Sequence, residues 1–304
     1  MKHLRERAAV LGEVRRFFDA RDFLEVQTPI LVPSPGSDLH LDAFEVQGGD
    51  RGQPRWLITS PEYQMKRLLA RGWPRIYQIG SSFRRGEVGA HHNPEFTMLE
   101  WYRAHAGMAD VMRDTEQLVA RVTGGTIRAG GHTVDVTPPF VRVTLCEAFA
   151  RFARWSPEET LDAAANDETR YFRALIEQVE PGLERLGQAA FLVDFPATQA
   201  SLARTKPDDP RLAERFELYV AGLELCNGFG ELVDPVEQRR RLLEDQSARK
   251  EAGRPVYPID ERFVADLARV PPSGGNALGL DRLVALSCGL TEIAPVLAFT
   301  ADEV

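Results

Sequence analysis

The strand-like segments of this 304-residue chain come in consecutive pairs, and this pattern constrains the fold more than any other feature of the sequence. Residues 75–85 and 96–103 predict two long strands joined by a polar loop. Residues 215–227 predict a second hairpin that turns at Ala221-Gly222. Regular parallel units would instead place a helix between successive strands. We therefore predict an α+β fold, with an antiparallel sheet flanked by helices.

Helical periodicity and turn residues predict the elements around these hairpins. Apolar residues recur at helical spacing over residues 8–18, and a short strand at 23–26 then leads into Pro29. Ser60 is the predicted N-cap of a helix that has Pro61 at its first position. The remaining predicted elements are helices at 108–122, 158–188 and 236–251, strands at 56–58, 133–143 and 191–195, and a glycine-rich strand followed by an apolar helix over 274–289.

Composition places the chain among globular proteins, with 43% hydrophobic and 27% charged residues. No linker-like stretch divides it, so we expect residues 1–304 to form a single domain. Cys146, Cys226 and Cys288 lack disulfide or zinc spacing, and neither a signal-peptide core nor a membrane span is visible, which predicts a cytoplasmic protein. The net charge of -8 gives no electrostatic footprint for nucleic acid.

The second strand of the long hairpin has an unusual face. Phe96, Met98, Glu100 and Tyr102 share parity and point to one side of the sheet. A ring, a carboxylate and a phenol in one row suit a pocket with a stacking platform and a cation site, although a solvated edge is the commoner explanation of such a row. The preceding loop carries side chains that can hold phosphate oxygens, namely Arg84, Arg85, Glu87, His91, His92 and Asn93.

Two glutamates form the next candidate site. A two-residue turn at Ala221-Gly222 would place Tyr219 opposite Glu224 and Glu217 opposite Cys226, with both glutamates on one face. Carboxylates at such spacing suit a magnesium ion that is shared with substrate phosphates. Two solvated glutamates on an exposed sheet face are the alternative.

A glycine-rich segment, residues 274–282, precedes the last predicted helix. Its glycines permit close backbone approach to a ligand, and Arg282 falls near the start of the helix. It is not a dinucleotide fingerprint, because no βαβ unit surrounds it.

These segments, in this order, resemble the three motifs of class II lysyl-tRNA synthetases. Residues 5–29 resemble motif 1, Phe83-Arg84 with residues 92–100 resemble motif 2, and residues 275–282 resemble motif 3. Residues 59–62 and 224–231 match the same family between those motifs. The resemblance implies the class II catalytic-domain fold and activation of a lysine-like amino acid with ATP and Mg²⁺.

The chain is most similar to truncated relatives of those synthetases, the elongation factor P lysine ligases. Its motif 1 helix begins almost at Met1, so we expect no anticodon-binding domain and no stable tRNA binding. The resemblance implies transfer of (R)-β-lysine, or lysine, to a lysine side chain of elongation factor P. It also implies a homodimer built by motif 1.

The resemblance assigns roles to individual side chains. It places Arg84 on the α-phosphate, Phe96 on adenine and Arg282 on the outer phosphates, with Arg84 and Arg282 as the catalytic pair. The residues expected to bind ATP are Arg84, Glu87, His92, Asn93, Phe96 and Arg282. The residues expected to bind the amino acid are Ser60, Glu62, Glu100, Tyr102, Asn227, Phe229, Glu231 and Ala277. Magnesium is expected at Glu217 and Glu224.

The chain departs from the family pattern after the motif 2 arginine. The usual acid two residues on is replaced by Gly86, and Glu87 follows it, which leaves the role of Glu87 open. Two other functions stay open beside the main one. A minimal enzyme could charge another acceptor, and a non-catalytic paralogue could keep the fold without turnover, although the latter is expected to lose a phosphate arginine or a metal carboxylate.

Overall fold

The computed structural model describes residues 2–50 and 52–304. Its α-helices are α1 Lys2–Asp19, α2 Glu62–Leu69, α3 Met108–Thr123, α4 Leu145–Ala148, α5 Pro157–Asn166, α6 Glu168–Ala174, α7 Glu180–Glu184, α8 Pro235–Glu251, α9 Glu261–Leu267 and α10 Leu280–Ser287. Its strands are β1 Leu24–Glu25, β2 Leu31–Val32, β3 Glu45–Asp50, β4 Gln53–Leu57, β5 Arg75–Phe83, β6 Glu95–Ala104, β7 Thr126–Ala129, β8 His132–Asp135, β9 Val141–Thr144, β10 Ala190–Pro196, β11 Leu212–Val220, β12 Leu223–Gly230 and β13 Ser273–Gly279. Within the described ranges no helix combines the length and apolar character needed to cross a membrane.

An eight-stranded sheet forms the centre of the protein, in the order β1-β5-β6-β13-β12-β11-β10-β9. The central pairings from β5 to β10 are antiparallel, and the two outer pairings, β1 with β5 and β9 with β10, are parallel. Helices flank this sheet, so the predicted α+β class and both predicted hairpins are confirmed. Glycine at Gly222 and a left-handed Ala221 form the turn of the second hairpin, with φ of 76° and 53°.

Two local predictions were wrong. The single strand expected over residues 133–143 is two strands, β8 and β9, because the intervening Pro138 and Pro139 lack the N–H groups that a ladder needs. Helix α2 starts at Glu62, one residue later than expected, with Pro61 at the N-cap. Ser60 nevertheless serves this helix end, since its Oγ accepts a hydrogen bond of 3.0 Å from the Glu62 amide.

The two faces of the sheet differ in chemistry. Leu99 and Trp101 of β6 point into the largest apolar core, where they pack with Phe18 of α1 and Leu283 of α10. The opposite face carries the alternate residues of the same strands, and α2 and α9 cover part of it through contacts around Tyr102. The parity argument for β6 is therefore confirmed, and the polar face is the one that bounds the main cavity.

Candidate active site

A cavity of about 530 Å³ lies over the polar face of the sheet. It is lined by most of the side chains predicted to bind ligands: Ser60, Glu62, Arg84, Glu87, His92, Asn93, Phe96, Glu217, Glu224, Asn227, Phe229, Ala277 and Arg282. Three predicted residues, Glu100, Tyr102 and Glu231, are buried and lie outside the lining. Segments that are far apart in the sequence, from Ser60 to Arg282, thus meet in one place.

One row of paired residues runs across the sheet beneath this cavity. Glu217 pairs with Asn227, Asn227 with Ala277, and Ala277 with Glu100. Paired residues on neighbouring strands share a face. A carboxylate, an amide, a methyl group and a second carboxylate therefore follow one another across four strands, and this alignment connects the magnesium candidates to the amino-acid candidates.

The register of the second hairpin differs from the prediction. Tyr219 pairs with Glu224 as expected, but a bulge at Leu225 then places Leu218 opposite Cys226. The expected pairing of Glu217 with Cys226 is therefore wrong. The bulge turns Cys226 into the apolar core and brings Asn227 onto the face of Glu217.

Arg84 lies just after β5, at the end of the cavity where the predicted phosphate-binding residues lie; we call it the phosphate end, and the end with the predicted amino-acid-binding residues the amino-acid end. Its guanidinium lies 5.1 Å from the centre of the Phe96 ring and 3.8 Å from Glu87. The Arg84 Nε is buried and has no hydrogen-bond partner among the described residues. A planar cation with an unused donor beside an aromatic ring suits a phosphate next to a stacked base.

Arg282 forms the other side of this end. Its Nη1 donates to the backbone oxygen of Glu224 at 2.7 Å, and its Nη2 lies 2.7 Å from His92 Nε2. Burial and the neighbouring Arg282 lower the pKa of His92, so the neutral imidazole can accept this hydrogen bond. Arg282 is thereby fixed by a β12 backbone group and by the motif 2 loop.

Asn93 holds the loop between β5 and β6 in place. Its Nδ2 donates to the Glu95 backbone oxygen at 2.6 Å, and its Oδ1 accepts from the Ala301 amide at 3.0 Å. Both ends of this amide are engaged by the backbone, so it shapes the cavity wall as well as lining it.

The amino-acid end contains a buried ion cluster. Lys66 Nζ lies 2.5 Å from Glu62 Oε1 and 2.6 Å from Glu231 Oε2, and both Lys66 and Glu231 are fully buried. Burial opposes the charged form of Lys66, but the carboxylates of Glu231 and Glu62 outweigh it and raise the pKa of Lys66. Burial raises the pKa of Glu231 despite the Lys66 ammonium. Glu231 Oε1 has no hydrogen-bond partner among the described residues.

Glu100 adds a third carboxylate beside this cluster. It accepts hydrogen bonds from Ser60 Oγ at 2.6 Å and from the Tyr102 hydroxyl at 2.9 Å. Burial, and then the nearby Glu62 carboxylate, raise the pKa of Glu100 to about 7. Lys66 thus pairs with Glu62 and Glu231, and Glu100 adds a carboxylate near Glu62. A further cation would relieve the excess negative charge.

Gly275 explains how these buried groups approach the sheet so closely. A Cβ atom at this position would collide with Glu231 Oε1 and with the Tyr102 ring. The glycine-rich pattern in β13 therefore makes room for the carboxylate layer beneath the cavity. The sequence predicted a close approach of the backbone to a ligand, whereas at Gly275 the close neighbours are protein side chains.

The proposed magnesium carboxylates are already partly engaged. Glu217 accepts from Arg215 Nη2 at 2.5 Å and from the Tyr219 hydroxyl at 2.8 Å. Desolvation and Glu217 raise the pKa of Glu224. Burial, Glu217 and Glu224 together raise the pKa of Glu180 to about 7. These three carboxylates lie near two arginines, Arg215 and Arg282, so negative charge still exceeds positive charge. They fit a divalent cation, because such an ion would lower their mutual repulsion.

Sequence reasoning missed the contacts of four side chains that position the site. Arg7 of α1 donates to Asp281 Oδ1 at 2.5 Å and to Thr97 Oγ1 at 2.7 Å, and the Thr97 amide donates to Asp281 Oδ2 at 2.7 Å. These three hydrogen bonds connect α1, β6 and α10 next to Arg282. Lys66 was also missed, although its position four residues after Glu62 in a helix is a recognisable ion-pair spacing.

Comparison with known proteins identifies the class to which this fold and site belong. Residues 1–303 match the family model of class II tRNA synthetases of the D, K and N type. Relatives named "Elongation factor P--(R)-beta-lysine ligase" come from Enterobacter sp. (strain 638), Erwinia tasmaniensis and Klebsiella pneumoniae (strain 342). Each is 41% identical to this chain and aligns with 99% of it and with 95% of its own length.

The chain therefore belongs to the class II synthetase-like family of elongation factor P (R)-β-lysine ligases. The resemblance drawn from the three motifs, the class II fold and the prediction of a ligase-type enzyme are confirmed.

Proposed function

We propose that this enzyme activates (R)-β-lysine, or lysine, with ATP and transfers the aminoacyl group to a lysine side chain of elongation factor P. The observation that carries this proposal is the carboxylate excess at one end of the cavity. Lys66 lies between Glu62 and Glu231, Glu100 lies near Glu62, and Glu231 keeps an oxygen without a partner among the described residues. A second ammonium, on the substrate side chain, supplies positive charge that a neutral or acidic side chain cannot supply.

The first step needs charge neutralisation more than a general base. The substrate carboxylate is ionised near neutral pH and can attack the α-phosphorus of ATP once the two are aligned. Arg84 would hold the α-phosphate and Arg282 the outer phosphates, with Phe96 under the adenine and His92 and Asn93 fixing the loop. Magnesium held by Glu217 and Glu224 would supply further positive charge beside the phosphates. Pyrophosphate leaves, and the carboxylate oxygen is now bonded to phosphorus.

The second step transfers the activated acyl group. The acceptor amine attacks the acyl carbon, the bond from that carbon to the phosphate oxygen breaks, and AMP leaves. The printed names of the relatives support elongation factor P as the acceptor. The acidic composition, with 45 acidic and 37 basic residues, supports a protein acceptor over tRNA.

Intact-mass measurement of elongation factor P tests this function directly. Purified acceptor is incubated with the enzyme, ATP, Mg²⁺ and each lysine isomer, and we expect a mass increase of one lysyl unit that depends on ATP. Lysine tRNA serves as the alternative acceptor in a parallel reaction, and we expect no appreciable charging. Charging of tRNA without modification of the protein would indicate a minimal synthetase. Absence of pyrophosphate exchange with either isomer would indicate a non-catalytic paralogue.

We also propose that two chains form a homodimer through the region of motif 1. Leu24, Ile30 and Leu31 are 45%, 44% and 43% exposed, which leaves an apolar surface beside the edge strand β1. Burial of that surface against a second copy is the expected result. Leu24→Arg should shift the mass measured by light scattering from dimer to monomer, whereas Trp73→Arg, an exposed site outside this segment, should not. A monomeric wild-type protein would refute the proposal.

A further inference from the structure

The main cavity has a side arm that neither the ATP residues nor the carboxylate cluster uses. We define this side arm by residues 36–41, Ser201, Leu242 and Asp245, all of which line the same cavity. Asp38 is exposed at its outer end, whereas Asp245 of α8 is half-buried. The side arm therefore carries one exposed and one half-buried carboxylate.

Arg249 fixes one wall of the side arm. This fully buried guanidinium donates from Nη1 to the backbone oxygens of Asp38 at 2.5 Å and Leu41 at 2.8 Å. Its Nη2 binds Asp42 Oδ1 at 2.7 Å. Because these acceptors converge on one buried cation, the wall is ordered before a ligand binds. Binding therefore carries no entropy cost for ordering this wall.

Asp245 has no ion-pair partner among the described residues, although the charge of Arg241 acts on it from further away. Within the described residues its one hydrogen bond comes from Ser201 Oγ to Oδ1 at 3.2 Å, and no basic side chain forms an ion pair with it. Arg241 lies one turn earlier in α8, but its guanidinium is bound to Glu237 and to the backbone oxygens of Ala200 and Ala203. A half-buried carboxylate without a cation is costly, and a ligand ammonium would offset that cost.

Only one reactant of the proposed function has to reach the cavity from outside while attached to a macromolecule. The acceptor lysine is a flexible side chain that ends in an ammonium, so it needs a narrow path from the surface with anionic groups along it. Resting on the proposed function, we infer that the side arm receives this acceptor side chain. Asp245 binds its ammonium and takes one proton, and Asp38 positions the incoming chain at the rim.

The chemistry of this step is balanced by groups already present. A lysine ammonium has to lose a proton before its nitrogen can attack. Burial raises the pKa of Asp245 to about 7, with Asp38 and Glu244 adding to the increase and Ser201 and Arg241 opposing it. One proton passes from the ammonium to the Asp245 carboxylate, and the neutral nitrogen then bonds to the acyl carbon. AMP leaves with the electron pair of the broken carbon–oxygen bond, and its phosphate takes the second proton, which the new amide nitrogen releases. A carboxylate with this pKa can both take and release a proton near neutral pH.

Separation of the two half-reactions tests the inference. In Asp245→Asn we expect amino-acid-dependent ATP–pyrophosphate exchange within about twofold of wild type, while single-turnover transfer to elongation factor P falls by about a hundredfold. The transfer rate of this variant should keep rising with pH, because the amine loses its proton to water or buffer instead of to Asp245. Hydroxylamine is uncharged near neutral pH and needs neither a cation site nor a base, so trapping of the adenylate by hydroxylamine should be unchanged.

Glu244→Gln is the matched control. Glu244 is the adjacent carboxylate on α8, is exposed and pairs with Arg240, so neither half-reaction should change. Asp38→Asn, at the exposed rim, cannot disturb the core and carries the test if Asp245→Asn does not fold. It should raise the KM for elongation factor P with little change in kcat.

Three outcomes would overturn the inference. One is normal transfer in Asp245→Asn together with a normal KM in Asp38→Asn. Another is an equal loss of exchange and transfer in Asp245→Asn, which would place this carboxylate at the donor amino acid. The third is loss of hydroxylamine trapping with exchange intact. Failure of the proposed function itself differs from all three, because the wild-type enzyme would then show no exchange.

Discussion

The two ends of the cavity differ in the sign of their charge and in their exposure to solvent. At the phosphate end, Arg84 and Arg282 are partly exposed cations. Arg84 lies beside Phe96 and Glu87, and Arg282 is held by a backbone oxygen and a neutral histidine. At the amino-acid end, Glu100, Glu231 and Lys66 are fully buried, and negative charge exceeds positive charge. The phosphates of ATP are charged and strongly hydrated, so a solvent-accessible site binds them without a large desolvation cost. The ammonium of an amino acid is recognised more strongly where its partners are already desolvated.

Removal of charge from the exposed end is expected to have the largest effect on activity. Arg84→Ala removes the guanidinium proposed to stabilise negative charge on the α-phosphate, and ATP–pyrophosphate exchange should fall by about 10²–10³-fold. Arg85→Ala is the matched control, because this adjacent arginine is exposed and pairs with Asp42. Exchange rates that fall equally in both variants would mean that general loop charge, not the position of Arg84, matters.

Removal of charge from the buried end should affect a different kinetic constant. Glu100→Gln keeps an acceptor oxygen for either Ser60 or Tyr102, replaces the other oxygen with an amide NH2 group, and removes the negative charge near the substrate ammonium. We expect the KM for lysine to rise by about tenfold to a hundredfold with the KM for ATP little changed. Arg84→Ala should slow the exchange reaction, whereas Glu100→Gln should mainly raise the KM for lysine. An equal increase in the KM values for lysine and ATP in Glu100→Gln would contradict the division of the cavity into two ends.

The sequence predicted the identity of these side chains better than their pairing. Parity along one strand placed Glu100 and Tyr102 on a common face, because strand alternation is a local property. The partners of Glu62 and Glu231 depended on Lys66 and on the packing of α2 against the sheet, which are tertiary facts. The bulge at Leu225 illustrates the same limit, since one extra residue in a strand reverses every side chain beyond it. Asp281 was within a recognised motif, yet its contact with Arg7 spans 274 residues.

The two ends should also respond differently to pH. Glu100 has a pKa raised to about 7 in the folded protein, so burial favours its protonated form. Its contribution to the free energy of unfolding is therefore most favourable below the unfolded pKa and declines as pH rises from about 4.5 to about 7. Glu100→Gln removes this penalty and should raise the Tm at about pH 8 by several degrees, with a smaller gain at about pH 5.5.

A surface carboxylate provides the comparison for that pH effect. Glu244→Gln, on the exposed side of α8, should leave the difference in Tm between the two pH values unchanged. In thermal scans with lysine present, the gain in the Glu100→Gln variant should diminish, because the substrate ammonium stabilises the wild-type carboxylate. A lower Tm at about pH 8 for Glu100→Gln would show that its hydrogen bonds outweigh its desolvation cost.

The smallest expected effect lies between the two ends, at Ala277. This residue pairs with Asn227 on one side and Glu100 on the other and lines the cavity, so its methyl group projects from the floor between the two ends. The resemblance to lysyl-tRNA synthetases leads us to expect glycine at this position. The α and β isomers of lysine differ in the atom that carries the amino group nearest the reacting carboxylate, and that atom would lie over this floor.

A change of one carbon in a pocket typically alters discrimination by about 1–3 kcal/mol. Ala277→Gly should therefore move the ratio of kcat/KM values toward α-lysine by several-fold, measured by pyrophosphate exchange with each isomer, while the KM for ATP stays constant. If the ratio does not move, the methyl group only packs against its neighbours, and Ser60 with the loop before Phe44 becomes the next region in which to seek the selectivity.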